Sequence, residues 1–130
     1  MDLDPLQPIQ FSDRAMDGLR LYNQQKFFEA HEALEDAWRK EPGILRTLYQ
    51  GVLQVGVGFY HLQRRNPDGA RKVFQRAWAL LQTWQNIELP FHLNDLILLS
   101  EKLDRIARNQ PERLKYLTVA DLFVRIQIPG

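Results

Sequence analysis

The sequence predicts an all-α fold, in which two stacked helical hairpins are followed by a C-terminal capping helix. Apolar residues recur at helical intervals of three and four in successive segments, and Gly, Pro and Asn cluster at the breaks between them. Small residues also repeat at a matched spacing in the two hairpins. The chain, residues 1–130, is expected to form a single domain, with 13–85 as a four-helix core and 86–130 as a C-terminal helix and tail.

The first hairpin is defined by a cap, a turn and a stop. Ser12 and Asp13 provide an N-cap for the first helix. The polar stretch 23–26 predicts a turn, and the second helix then runs over about 27–39. The Glu-Pro-Gly sequence at 41–43 ends that helix, because proline cannot continue the backbone hydrogen bonding.

The second hairpin follows the same plan. Its first helix is predicted over 44–65, its turn over the Asn-Pro-Asp-Gly sequence 66–69, and its second helix over 70–85. Trp78 and Trp84 are six residues apart on that last helix, so they lie on different faces. Trp78 is the one expected in the core.

The C-terminal third carries a weaker pattern. A capping helix is predicted over about 93–108, where leucine and isoleucine side chains form one stripe. Residues 118–128 are rich in β-branched and apolar side chains, so they form either a short helix capped by Thr118 or an extended tail. We favour the helix, and we expect the segment to pack back on the bundle.

An internal repeat with an offset of 40 residues relates the hairpins. The glycines and alanines are expected to let paired helices approach closely, with a large side chain filling the space beyond them. This small-residue pattern resembles that of the tetratricopeptide repeat, although the offset of 40 residues departs from that family. The matched positions are Gly18, Ala30, Leu34 and Ala37 in the first copy and Gly58, Ala70, Phe74 and Ala77 in the second.

A longer motif resembles the bacterial and archaeal family catalogued as domain of unknown function 309. Its hallmark is an aromatic residue, then His-Glu-x-x-Glu-x-x-Trp, then a Gln-Gly helix that ends in Tyr-His. The resemblance covers roughly 13–85 and implies an all-helical, tetratricopeptide-like bundle without an assigned activity. The matching positions are Phe28, His31, Glu32, Glu35, Trp38, Gln50, Gly51, Tyr60 and His61.

Composition excludes several classes of function. The chain has no cysteine, so disulfides, thiolate metal sites and cysteine nucleophiles are absent. The net charge of +1 provides no general attraction for nucleic acid. The most apolar stretch, 48–62, is interrupted by polar residues and is shorter than the roughly 20 residues of a membrane span. We therefore expect a cytoplasmic protein that binds neither nucleic acid nor membranes.

The motif contains the residues best suited to chemistry. His31 and Glu35 lie one turn apart on one helix face, where they could share a divalent metal or hold the ring for proton transfer. His61 is the candidate third ligand and Glu32 a spare carboxylate. The alternative is a structural hydrogen bond, which a partly buried imidazole requires. We favour that structural pairing.

The third helix suggests a groove beside this pair. It contains Gly51, Gly56 and Gly58, each of which costs on the order of 1 kcal/mol in a helix interior. Close helix packing or a ligand groove explains such residues. If the glycines border a ligand groove, the residues expected to line that groove are Phe28, Tyr49, Gln50, Gln54 and Tyr60.

Two main functions remain open at this point, beside a third, a pH-responsive element in which a buried histidine pair changes charge near neutrality. The first is a non-enzymatic helical-repeat module that binds a protein or peptide, or self-associates into a homo-oligomer, without a cofactor. The second is a metal-binding protein or metal-dependent hydrolase that uses His31, Glu35 and His61. The incomplete catalytic set favours the first.

Overall fold

The structure, a computed structural model, describes residues 9–89 and 92–128. The outermost residues of the predicted domain, 1–8 and 129–130, lie outside that description. Short turns join the helices, and the all-α prediction is confirmed. The elements are α1 (Asp13–Asn23), α2 (Phe27–Lys40), α3 (Leu45–Gln63), α4 (Pro67–Leu81), a 3₁₀ helix Gln82–Trp84, α5 (Asn94–Asn109), a 3₁₀ helix Pro111–Lys115, and α6 (Val119–Leu122).

Side-chain caps set the start of two helices, α1 in the first hairpin and α4 in the second. The Ser12 hydroxyl accepts a hydrogen bond from the Ala15 N–H at 3.2 Å, at the N-terminus of α1. The Asn66 carbonyl oxygen accepts one from the Gly69 N–H at 3.1 Å, at the N-terminus of α4. Each cap satisfies a backbone donor that has no partner inside its helix.

The two hairpin turns have the same geometry, 40 residues apart. α1 ends at Asn23 and α3 at Gln63, and the following helix begins four residues later in both cases. Gln25 and Arg65 occupy the left-handed backbone region, with φ of 59° and 55°. Two equivalent backbone reversals therefore form two equivalent hairpins, as the repeat predicts.

Close backbone approach holds each hairpin together. A Cβ atom on Gly18 would lie 2.6 Å from Leu34 Cγ. A Cβ atom on Gly58 would lie 2.8 Å from Phe74 Cζ. Both large side chains are buried, so they fill the space that the missing Cβ atoms leave. The helices pack in sequence order from α1 to α5, and Gly18 and Gly58 each face the large side chain that was expected to fill the space beside the small residues.

The tryptophans take places opposite to those expected. Trp84 is fully buried, and its Nε1 donates to the Thr47 hydroxyl at 3.2 Å. Trp78 is only partly buried at the edge of the core. The prediction failed because α4 ends at Leu81, and the 3₁₀ helix that follows changes the direction in which Trp84 points.

The chain after α6 forms an extended segment, residues 123–128, which we call the C-terminal strap. The favoured helix over 118–128 is thus limited to α6, and the rest is the extended alternative. Asn23 binds both backbone groups of Ile126: its Nδ2 donates to the carbonyl at 2.7 Å, and its Oδ1 accepts from the N–H at 2.8 Å. The strap packs back on the bundle, as expected.

Aromatic rings anchor the other end of the strap. Phe123 stacks on Tyr22 with a centroid separation of 5.1 Å, and it also contacts Phe27 and Phe59. The Tyr22 hydroxyl donates to the Val124 carbonyl at 2.9 Å. Burial raises the pKa of Tyr22 above its usual range, so this donor keeps its proton.

A capping box begins α6. The Asp121 carboxylate accepts hydrogen bonds from the Thr118 N–H at 2.8 Å and from the Thr118 hydroxyl at 3.0 Å. The backbone bond first, and then the hydroxyl bond, hold the pKa of Asp121 below its ordinary value. The chain is therefore held at the point where it turns into the strap.

Two substitutions on α3 separate packing from helix propensity. We expect Gly58→Ala to lower the free energy of unfolding by about 1–3 kcal/mol, because Phe74 is buried and has no space to move aside. Gly56→Ala is the matched control, since its Cβ would have no neighbour closer than 3.9 Å. That control should raise stability by about 0.5–1 kcal/mol. Equal effects of both substitutions in urea unfolding would contradict this account.

Removing the strap's polar anchor should loosen it. We expect Asn23→Ala to lower the free energy of unfolding by about 1–3 kcal/mol, because both backbone groups of Ile126 lose their partner. Hydrogen exchange should accelerate at the Ile126 amide more than at amides of α3. Unchanged protection of Ile126 would show that the apolar contacts alone hold the strap.

The capping box should depend on pH. Because the folded-state pKa of Asp121 is lowered, its stabilising contribution is complete above the unfolded-state pKa and is lost as the pH falls through the folded-state pKa. Carboxyl-carbon NMR should place the Asp121 midpoint below that of an aspartate in a short unstructured peptide. In Thr118→Ala, which lacks the hydroxyl, the midpoint should rise. A midpoint that does not move would be inconsistent with the observed hydrogen bonding.

Candidate functional site

Four of the motif residues, Phe28, His31, Tyr60 and His61, meet between α2 and α3. Phe28, His31 and Glu35 follow one another at intervals of three and four on α2, so they share one face. Tyr60 and His61 lie at the C-terminal end of α3, which packs against α2. A cavity of about 190 Å³ lies between the two helices. We call it the imidazole pocket, and its lining is Phe27, Phe28, His31, Val57, Tyr60 and His61.

Aromatic side chains form most of the pocket wall. Phe28 is 52% exposed, which is unusual for a large apolar side chain, and its ring centroid lies 6.0 Å from that of Tyr60. Phe27 is buried beneath them. The guanidinium carbon of Arg64 lies 5.6 Å from the centre of the Tyr60 ring, in a cation–π arrangement. An apolar surface is thus left open to solvent beside a cation.

The predicted His31–Glu35 pair forms. His31 Nε2 lies 3.2 Å from Glu35 Oε2, and the second carboxylate oxygen pairs with Arg39 one turn further along α2. The His31 side chain remains 36% exposed. The carboxylate therefore holds the ring in place while part of the imidazole still borders the pocket.

His61 is oriented by the next helix instead of by α2. Its Nδ1 lies 3.2 Å from the Asn66 Nδ2, and Asn66 is the N-cap of α4. A Cβ atom on Gly69 would lie 2.8 Å from the same Nδ1. The Nδ1 edge of the ring is therefore packed against the start of α4.

This orientation argues against the three-ligand metal centre. Among residues 9–89 and 92–128, no three His, Asp or Glu side chains are grouped so that they could hold a metal ion. His61 turns its Nδ1 towards α4, and Glu35 is already shared by His31 and Arg39. The proposed set of His31, Glu35 and His61 lacks the convergence that a zinc-type site requires.

Two other motif residues lie outside the pocket lining. Glu32 is exposed on α2. Trp38 is partly buried, and the guanidinium carbon of Arg46 lies 5.1 Å from its ring centre. Its Nε1 is buried and lacks a hydrogen-bond partner within the part of the chain that the structure describes. Trp38 thus packs α2 against the start of α3 and does not extend the pocket.

Tyr49 does not line a groove, contrary to the prediction. It is buried, its hydroxyl accepts a hydrogen bond from the Ser12 N–H at 3.0 Å, and its ring meets Phe11 edge-on. Burial raises the pKa of Tyr49. Gln50 and Gln54 are partly exposed on α3 and are not part of the pocket lining.

Close packing explains two of the three glycines on α3. Gly51 lies against Leu81 and Gly58 against Phe74, whereas Gly56 has no side chain within 3.8 Å of the place its Cβ would take, the nearest atoms being at 3.9 Å. Sequence reasoning missed Val57 and Phe27 as lining residues. Val57 is one helical turn from His61, so extending the Tyr-His face backwards along α3 would have found it.

Comparison with known proteins supports the motif and leaves the activity open. Residues 16–73 match the model of a family described as a domain of unknown function (DUF309). A segment of 57 residues is 37% identical to the uncharacterized protein YpuF of Bacillus subtilis (strain 168) and covers 43% of this chain. The chain spans 33% of the length of that relative.

The matched segment contains α2, α3 and all six residues that line the imidazole pocket. Within the described part of the chain, no helix is both long enough and apolar enough to cross a bilayer. The resemblance predicted from the His-Glu motif is confirmed by the match of residues 16–73 to the DUF309 family model.

Proposed function

We propose that this chain is a non-enzymatic helical module that binds a protein partner by taking one of the partner's apolar side chains into the imidazole pocket. The open aromatic pocket beside the half-exposed Phe28 is the observation that carries the proposal. Its volume of about 190 Å³ is below the roughly 300–1,000 Å³ of small-molecule sites, and suits a single side chain.

The energetics suit an anchoring contact. Burying one leucine- or phenylalanine-sized side chain contributes roughly 1.5–3 kcal/mol. Such pockets commonly lie at the centre of a protein interface, where surrounding contacts exclude water. Arg64, which lies over the ring of the lining residue Tyr60, supplies a charge at the edge of this surface.

The pocket lacks the side chains that most often act as nucleophiles or carboxylate bases in hydrolytic enzymes. Its six lining residues include no serine, threonine, cysteine or carboxylate. Glu35, the carboxylate nearest to His31, is occupied by the ring and by Arg39. These features support binding over chemistry.

The setting we propose is the cytoplasm, which suits a chain without cysteine. The paired hairpins also support kinship with tetratricopeptide-like helical repeats, a class that presents extended binding surfaces. The partner we propose is a different protein.

Single-residue peptide analogues test the pocket directly. We expect N-acetyl-leucine N-methylamide and N-acetyl-phenylalanine N-methylamide to shift the NMR signals of Phe28, Val57 and Tyr60, with Kd values of about 10 mM, or ~3 kcal/mol. N-acetyl-glutamate should not. If neither apolar probe shifts the signals of these residues, the proposal is contradicted.

A matched pair of surface variants controls for non-specific binding of the probes to exposed apolar side chains. Phe28→Ser should weaken both apolar probes at least about threefold, because it removes one wall of the pocket. Leu98→Ser alters a side chain of similar exposure, 58% against 52%, on α5, and should leave binding unchanged. Dimerisation of the unmodified chain that Phe28→Ser abolishes would identify a second copy as the occupant and overturn the choice of partner.

A further inference from the structure

We infer that the imidazole pocket recognises an amide group beside the apolar side chain, with His61 donating a hydrogen bond to the amide oxygen and His31 accepting one from the amide N–H. The inference rests on the proposed function, because it names the polar part of the same ligand. Its basis is the position of the proton on each ring, which the neighbouring side chains determine.

The proton of His61 is located by Asn66. The Asn66 carbonyl oxygen accepts the Gly69 N–H, so a flipped amide would place its NH₂ group against that donor. The NH₂ group therefore faces His61 Nδ1, at 3.2 Å. An amide nitrogen only donates, so Nδ1 accepts and the ring proton lies on Nε2. His61 thus has a spare donor.

The proton of His31 is located by Glu35. A carboxylate only accepts, so the His31 Nε2 that lies 3.2 Å from it carries a hydrogen. In the neutral ring, Nδ1 then has a free lone pair. His31 thus has a spare acceptor, and the pocket combines two imidazoles of opposite hydrogen-bonding character.

An amide matches this pair better than other common polar groups do. It provides an acceptor oxygen and an N–H donor on two atoms bonded to the same carbon, whereas a carboxylate only accepts and an ammonium only donates. Phe27, Phe28 and Val57 offer no side-chain hydrogen bond, so the rings and the Tyr60 hydroxyl supply the polar side-chain groups of the lining. A ligand without the N–H would leave the His31 lone pair without a partner.

Two nearly isosteric probes test the inference. 4-Methylpentanamide and 5-methylhexan-2-one share their carbonyl and apolar chain, and differ by an NH₂ group in place of a methyl group. At pH 8, NMR titration should show the amide binding roughly fivefold more tightly, as expected for one hydrogen bond in a partly closed pocket. Equal affinity at the pocket would overturn the inference and leave the proposed function standing. Binding of neither probe would overturn both.

Ring-preserving variants assign the effect. His31→Phe should abolish the preference for the amide and retain binding of the ketone. His92→Phe is the control, because His92 is exposed and lies outside the lining. A preference for the amide that persists in His31→Phe would contradict the role given to this ring.

The proton positions can be measured without a ligand. Long-range ¹H–¹⁵N spectra of the free protein at pH 8 should show His61 protonated at Nε2 and unprotonated at Nδ1. In Asn66→Ser, which retains a capping oxygen for the Gly69 N–H but lacks the NH₂ donor, that preference should weaken. A proton on Nδ1 of His61 in the unmodified chain would refute the assignment whatever the binding data show.

Discussion

Close contact between helix backbones, at points where a glycine faces a large buried side chain, is the constraint on which the rest of the structure depends. Gly58 admits Phe74 on one side of α3, so α4 packs tightly there. α2 packs on another side of α3, and the imidazole pocket lies between α2 and α3. The position of the site therefore follows from how α3 is shared by its neighbours.

The hairpins could be predicted because their signals are local or repeated. The caps and turns depend on residues within a few positions of each other, and Gly18 and Gly58 pair with Leu34 and Phe74 at the same spacing. The places of Trp78 and Trp84 could not be predicted in this way. They depend on where α4 ends, and helix ends are poorly defined by periodicity.

The candidate site was also predictable only where its contacts are local in sequence. The His31–Glu35 contact lies within one helix turn, so spacing on α2 was sufficient. The direction of His61 depends on Asn66 in the next helix, and spacing along α3 does not contain that information. Tyr49 shows the same limit. Its burial depends on Phe11 and Ser12, which lie just before α1 and far from Tyr49 in the sequence.

The contact between Asn23 and Ile126 joins points that are 103 residues apart along the chain. Closing so long a loop costs more conformational entropy than forming a hairpin whose partners are near in sequence. The contacts of the strap therefore stabilise the chain only after the hairpins have formed. They also raise the mean sequence separation of contacting residues in a fold whose other contacts are mostly local. The C-terminal strap, which was the hardest element to predict from sequence, is on this argument also the last to dock as the chain folds.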